Sequence, residues 1–135
     1  MNWTLEVVTV PVSDVDRAKQ FYAEQLGFAV DHDTAGAGFR IVQLTPPGSG
    51  CSVVLGVQNG MAPGSLKGVQ LVVNDLEAAR AELVARGVEV GEITVYGANG
   101  PRPREEGDDL NNNGFVFFDD PDGNSWTVQQ ITNRP

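Results

Sequence analysis

The sequence predicts an α+β fold made of two copies of a βαβββ module, and three observations carry that prediction. The stretch Val12-Ser-Asp-Val-Asp-Arg-Ala-Lys-Gln-Phe-Tyr22 is echoed by Val73-Asn-Asp-Leu-Glu-Ala-Ala-Arg80, each after a short run in which apolar residues alternate with others. Each echo holds an aspartate, Asp14 or Asp75, where a carboxylate can cap the free amides of a following helix. Three β-rich runs then follow each helix. A strand-to-helix unit that recurs in this way marks a duplicated module, and a function that needs both copies belongs where they face each other.

Taken in order, Val8, Val10 and Val12 alternate ahead of Asp14 as a strand with one buried face does. From Val15 onward Ala18, Tyr22 and Leu26 recur at helical spacing, and Gly27 stands where a left-handed residue ends a helix, so the spacing predicts a helix over 13–26. The runs 28–33, 38–44 and 51–56 read as strands, parted by clusters such as Thr45-Pro-Pro-Gly-Ser-Gly50. In the second copy Val69, Leu71 and Val73 form the strand, while Leu76, Ala79 and Leu83, ended by Gly87, predict a helix over 75–86. Runs at 88–94, 114–119 and 125–131 complete it. Between the copies, Gln58-Asn-Gly-Met-Ala-Pro-Gly-Ser65 has turn composition and no periodicity. The chain therefore reads as one domain over 1–135, with module one at about 1–56, a linker at about 57–67 and module two at about 68–135.

Composition narrows the function classes. At 135 residues the chain can bury a sizeable core as one domain. It has no apolar stretch long enough to cross a bilayer, and its start lacks a basic segment followed by an apolar one. Cys51 is the single cysteine, which rules out an internal disulfide and suits a reducing compartment, so the expected location is the cytoplasm. Nine basic against eighteen acidic side chains give a net charge of −9. Nucleic acids and anionic membranes, which need clustered Lys and Arg, are excluded as partners, whereas a cationic small molecule would be attracted.

Val12 to Tyr22 with Leu26-Gly-Phe28, together with Phe118-Asp-Asp-Pro-Asp-Gly-Asn124, resembles the glyoxalase/bleomycin-resistance/extradiol-dioxygenase superfamily, also called the vicinal oxygen chelate fold. The resemblance covers nearly the whole chain in order and spacing. It implies that each module curls into a half-open sheet and that the two sheets face each other around a cleft. It leaves activity open, since the superfamily includes isomerases, lyases, dioxygenases, thiol transferases and proteins that only sequester antibiotics. Homodimers are common among members with two modules per chain, so a homodimer is expected here.

Metal-using members place a His seven residues before the position of Asp14, a His or Gln at the matching point of the second module, and a Glu three residues after the Asn of Asp-Pro-Asp-Gly-Asn. In this chain those positions hold Val7, Gly68 and Thr127, and aligning Pro47-Gly48 with Pro121-Asp122 makes Val53 the fourth. A divalent ion needs several imidazole, thiolate or carboxylate donors, and this set supplies none. The expectation is a site without metal or other cofactor. The remaining reactive side chains read blandly: His32 lies in Asp31-His32-Asp33 near a strand end, and Cys51 has no base near it in sequence.

If the family's ligand positions point into the cleft, strand parity supplies its walls. They are Leu5, Val7 and Thr9; Gly68, Gln70 and Val72; Cys51, Val53 and Leu55; and Ser125, Thr127 and Gln129, leaving Val8, Val10, Val12, Val69, Leu71, Val73, Trp126 and Val128 beneath the helices. The expected ligand-binding set is Val7, Thr9, Val53, Gly68, Gln70, Thr127 and Gln129. An apolar surface crossed by a few neutral polar groups suits an organic ligand held by hydrogen bonds, although Gln70 and Gln129 also fit as plain exposed strand residues. A glycine within a strand, as at Gly68, marks either a close approach or a bulge. The segment 96–114 is too long for a simple connection and reads either as a lid, with Tyr96, Arg102 and Arg104 able to reach a ligand, or as a solvated insertion.

Three functions fit these residues. The first is a metal-free protein that binds and sequesters an antibiotic or another organic compound, a cationic one being favoured by the acidic charge. The second is a metal-independent isomerase, epimerase or lyase acting in the same cleft through Glu92, Tyr96 or Glu105, for which no paired acid and base spacing stands out. The third is a structural or regulatory dimer.

Overall fold

Asp14 and Asp75 begin equivalent helices. Each is extended (φ −135° and −137°), and each carboxylate accepts a hydrogen bond three residues on, from Arg17 N at 3.1 Å and from Ala78 N at 3.0 Å. In the computed structural model, which describes residues 1–56 and 60–133, the helices are α1 (Val15–Gln20) and α2 (Leu76–Ala85). α1 runs on into a π turn over Phe21–Gln25, closed by Leu26 N on Phe21 O at 3.0 Å. Gly27 and Gly87 follow with φ of 77° and 82°, the left-handed conformation in which a side chain is disfavoured. Linker residues 57–59 and the last two residues of module two lie outside the described residues.

The chain forms two compact units. The first comprises Met1–Leu66 with Asp120–Asn124, and the second Lys67–Asp119 with the residues from Ser125 onward. In the first, β1 (Val7–Pro11), β2 (Ala29–Gly36), β3 (Phe39–Thr45) and β4 (Ser52–Gly56) form a sheet in the order β1-β4-β3-β2, with β1 and β4 parallel. The buried set Val10, Val12, Ala18, Tyr22, Val42, Leu44, Val53 and Leu55 joins α1 to one face of that sheet. In the second, β5 (Val69–Val73), β6 (Thr94–Gly97), β7 (Gly100–Pro103), β8 (Gly114–Asp119) and β9 (Ser125–Gln130) take the order β5-β9-β8-β6-β7, with β5 and β9 parallel. Leu76, Val95, Val116, Phe118, Trp126 and Val128 fill the space under α2, where the Phe118 and Trp126 rings stack 6.3 Å apart. Burying each such side chain contributes about 1.5–3 kcal/mol. On that side Gln130 Oε1 also accepts from Leu76 N at 2.9 Å, securing the start of α2.

Residues 120–124, the Asp-Pro-Asp-Gly-Asn turn, belong to the first unit although both flanking strands belong to the second. Asp120 is buried, with Oδ1 accepting from Asp122 N and Asn124 N at 2.9 Å each. Asn124 is fully buried: its Nδ2 donates to Pro11 O at 2.8 Å and its Oδ1 accepts from Leu66 N at 3.0 Å. Asp122 Oδ1 accepts from Ser13 Oγ at 2.5 Å and pairs with Arg17 at 3.2 Å. The motif's polar atoms thus tie a distant turn to β1 and the start of α1.

Two expectations are corrected in the second unit. The run 88–94 is not one strand: Gly91 interrupts it, Val90 forms an isolated bridge to Phe118, and Thr94 alone belongs to a strand, as the first residue of β6. Nor is 96–114 one long loop. Its first part is a hairpin of β6 and β7 around Ala98-Asn99, stapled by pairing of Val95 with Arg102 and of Tyr96 with Pro101. Pro101 and Pro103 are tolerated because β7 is an edge strand. Among the described residues no helix is long and apolar enough to cross a membrane.

Candidate functional site

Strand alternation gives the second sheet one face under α2 and one open face. Trp126 and Val128 are buried under the helix, so their neighbours Ser125, Thr127 and Gln129 point the other way. Register then assembles two rows on the open face. Gln70, Thr127 and Phe117 lie side by side across β5, β9 and β8, and Val72, Gln129, Phe115 and Thr94 form the next row. Val72, Tyr96 and Phe117 are 42%, 46% and 43% exposed, large for side chains of this size in a sheet. Tyr96 sets its ring edge-on to Phe115, centroids 5.2 Å apart at 90°.

Two asparagines of the 111–113 turn anchor this face. Asn113 mimics a strand partner: its Oδ1 accepts from Tyr96 N at 3.2 Å and its Nδ2 donates to Tyr96 O at 3.1 Å, prolonging the β6–β8 pairing by one residue. Asn112 has φ of 63°, a left-handed conformation that Asn tolerates better than most residues. Its carbonyl accepts from Gln129 Nε2 at 2.9 Å, and Gln129 Oε1 in turn accepts from Gln70 Nε2 at 2.5 Å.

Of the residues expected from sequence, Gln70, Thr127 and Gln129 therefore share one surface with Tyr96. Phe115 and Phe117 were not singled out, although extending strand parity to 114–119 picks them out. Gly68 precedes β5 with φ of 76°, its amide donating to Ser125 O at 3.1 Å and to Ser125 Oγ at 3.0 Å. A Cβ at Gly68 would meet nothing within 4 Å, so backbone conformation, not close approach, accounts for the glycine.

Val7 and Thr9 lie on the open face of the first sheet, beside Ser52 and Val54. A depression of about 360 Å³ there is lined by Thr9, Phe39, Arg40, Ile41, Val54, Leu55 and Gly56. The inward placement of Cys51, Val53 and Leu55 is corrected. Val53 is 4% exposed and lies beside Val8 and Leu44 on the helix side, while Ser52, Val54 and Gly56 alternate to the other face, where Val54 is partly exposed and Ser52 and Gly56 are covered. The cause is loop length: residues 46–51 join β3 to β4, but the shorter 120–124 joins β8 to β9, and one extra residue inverts strand parity. Val54, paired with Thr9, is the counterpart of Thr127, paired with Gln70.

The arginines named for a lid are both committed. Arg102 forks onto Asp108 at 2.9 Å through each nitrogen, and with the Glu105 amide it holds the Asp108 carboxyl down at about 2. Arg104 pairs with Glu77 of α2 at 2.8 Å. Arg104, Arg80, Glu77 and Glu92 surround a depression of about 310 Å³ on the helix side, where Arg80 also binds Gly91 O at 2.8 Å and Glu92 at 3.2 Å. These pairs fasten α2 to the flanking segments. No hydrogen bond among the described residues links Glu92 or Glu105 to Tyr96, so an acid–base pair is not assembled from those three.

The positions that hold metal in relatives do not fit one here. Val7 and Gly68 carry no donor side chain, Val53 faces the core and Thr127 offers a neutral hydroxyl. Among the described residues no group of three or more His, Cys, Asp or Glu side chains gathers to hold an ion. His32 stands on β2, exposed along its whole length, opposite Gln43. Cys51 is partly buried, its Sγ 3.6 Å from Ser52 O.

The sequence profile of the Glyoxalase/Bleomycin resistance protein/Dioxygenase superfamily matches residues 4–128. A search of curated proteins finds no match. Among solved structures, the antibiotic binding protein TnmS3 from Streptomyces sp. CB03234 is 33% identical, with 96% of this chain and 97% of that one covered and a TM-score of 0.75. A glyoxalase/bleomycin resistance protein from the same Streptomyces is 34% identical over 94% of this chain and all (100%) of that one, TM-score 0.72. A superfamily member from Sphaerobacter thermophilus DSM 20745 is 28% identical, covers 96% and 98%, and has a TM-score of 0.74. With paired βαβ-type units, the Asp-Pro-Asp-Gly-Asn turn and a profile match over nearly its whole length, the chain belongs to the Glyoxalase/Bleomycin resistance protein/Dioxygenase superfamily.

Proposed function

We propose that the protein binds a small organic molecule on the open face of its second sheet and releases it unchanged, without a metal or other cofactor. The observation that carries this reading is the surface itself. Three aromatic rings (Tyr96, Phe115, Phe117) lie beside the Gln70–Gln129 amide pair and the Thr127 hydroxyl, an apolar platform bordered by neutral polar groups. Such a platform suits an unsaturated ring system carrying a few polar substituents. A net charge of −9 favours a cationic or neutral ligand over an anionic one. The similarity to an antibiotic binding protein supports sequestration of an antibiotic as the biological role.

The reading extends to a cytoplasmic homodimer. On the first sheet the open face carries Val7, Phe39 and Ile41, each 40% to 47% exposed, an apolar surface that a second copy would cover.

A thermal-shift screen of aromatic antibiotics tests the reading, with each recovered ligand identified by chromatography and mass spectrometry. Expected is a rise in Tm that grows with ligand concentration, because binding to the native state alone stabilises it, and full recovery of the ligand. Time-dependent conversion of a ligand would overturn the binding-only reading in favour of an isomerase, epimerase or lyase.

A further inference from the structure

We infer that Asn112, Gln129 and Gln70 form an amide relay that fixes the hydrogen-bonding polarity of the open face, so that it selects a ligand presenting an N–H or O–H donor. The inference rests on the proposed ligand face and adds to it a rule for what binds there.

The relay starts from a group with no choice. A backbone carbonyl only accepts, so whatever side-chain atom meets Asn112 O must be a donor. Gln129 therefore turns Nε2 toward Asn112, at 2.9 Å, and its Oε1 toward Gln70. Gln70 must answer that oxygen with its own donor, Nε2, at 2.5 Å. Each amide orientation dictates the next, and the oxygen left over at the end of the chain is Gln70 Oε1, which has no hydrogen-bond partner among the described residues. A primary amide alone on a surface can turn over and serve either kind of ligand. This one cannot turn without placing oxygen against oxygen at Gln129.

The origin of the relay is itself held in place. Asn112 adopts φ of 63°, its amide donates to Gln130 O at 2.8 Å, and its neighbours Asn111 and Asn113 bind Thr132 and Tyr96. The carbonyl that starts the relay is thus fixed by contacts on both sides. Gln70 belongs to the row of Thr127 and Phe117 and its amide meets Gln129 of the next row, so a donor on the edge of a ring seated against these aromatic side chains would meet Gln70 Oε1.

The test compares two neutral probes of the same ring, 2-naphthol and 2-methoxynaphthalene. Both keep an oxygen that accepts, but only the first has a hydrogen to donate. Dissociation constants are measured by fluorescence for wild type, Gln70→Met and Gln129→Leu, with Tm recorded to verify folding. Wild type is expected to prefer 2-naphthol by roughly three- to tenfold, the range of one net hydrogen bond. Gln70→Met should bring the ratio near one. Gln129→Leu should lower it as well, although it leaves Gln70 intact, because the amide is then free to turn. Equal binding of both probes by wild type overturns the relay and leaves the ligand face standing. A wild-type ratio retained in Gln129→Leu overturns it too, since Gln70 would then act alone. Failure of wild type to bind either naphthalene, with no effect of either probe on Tm, overturns the ligand face and the relay with it.

Discussion

The Tyr22 hydroxyl donates to Asp120 Oδ2 at 2.6 Å, joining residues 98 positions apart within the first unit, and both side chains are buried. The same oxygen accepts from Asn124 Nδ2 at 2.8 Å, so Tyr22 is one of two donors on Oδ2 and, with the Asp122 and Asn124 amides on Oδ1, helps compensate a carboxylate withdrawn from water. Removing one of them leaves the carboxylate partly unsatisfied. Tyr22→Phe should therefore lower stability by about 1–3 kcal/mol in urea unfolding with the fold retained. A change under about 0.5 kcal/mol, the scatter of an ordinary surface substitution, would show that the turn does not depend on this bond.

The corrected strand parity of β4 makes a sharper stability test. Val53 is in the core and Val54 is on the open face, so the same isosteric change has different consequences one residue apart. Val53→Thr places a hydroxyl among apolar side chains and should cost about 1–3 kcal/mol. Val54→Thr should stay within about 0.5 kcal/mol of wild type. Equal costs in parallel urea titrations would show that Val53 is no more enclosed by apolar side chains than Val54.

Much of the fold was legible because local rules agree with each other. Asp14 and Asp75 cap, the apolar spacing repeats, and Gly27 and Gly87 follow the helices, so α2 falls within a residue of expectation and α1 within two once the π turn over Phe21–Gln25 is counted with it. The hairpin of β6 and β7 was not legible, since Gly97, Gly100, Pro101 and Pro103 carry loop composition and pair only because β7 is an edge. Parity put Gln70, Thr127 and Gln129 on one sheet face, as they are, but misplaced Val53, because parity survives only as far as loop lengths are matched. The relay was beyond reach: it begins at a backbone carbonyl of Asn112, and no side-chain pattern announces that.

Acid sensitivity should carry the mark of Arg102 and Asp108. Their forked pair, helped by the Glu105 amide, depresses the Asp108 carboxyl from its ordinary 3.8 to about 2 in the folded chain. A depressed carboxyl pKa stabilises the fold above the unfolded value, and that contribution is lost as pH falls from about 4 toward 2. Asp108→Asn should therefore melt below wild type at pH 7, with the gap closing across that window. The Asp33 carboxyl, held low by Arg40 and then Lys19, should behave in the same direction in Asp33→Asn. A gap in Tm that is constant from pH 7 to pH 2 would mean that neither pair contributes through its charge.

Ligand affinity should depend on Phe117 and be indifferent to His32. Phe117 is a half-exposed ring in the row of Thr127 and Gln70. Once a ligand that raises Tm has been found, Phe117→Ala removes one aromatic contact and should weaken it by about 1–2 kcal/mol, or roughly five- to thirtyfold in Kd. Thr127→Val, which keeps the shape of the site but deletes the hydroxyl, should cost a ligand that bonds to it about 1–3 kcal/mol. His32→Ala lies on an exposed edge strand of the other sheet and should leave Kd unchanged. Calorimetry on the three variants separates the surfaces: losses at Phe117 and Thr127 with none at His32 place the ligand on the open face of the second sheet. Unaltered binding in Phe117→Ala and Thr127→Val would move it instead to the depression lined by Thr9, Ile41 and Val54, where Ile41→Ala becomes the decisive substitution.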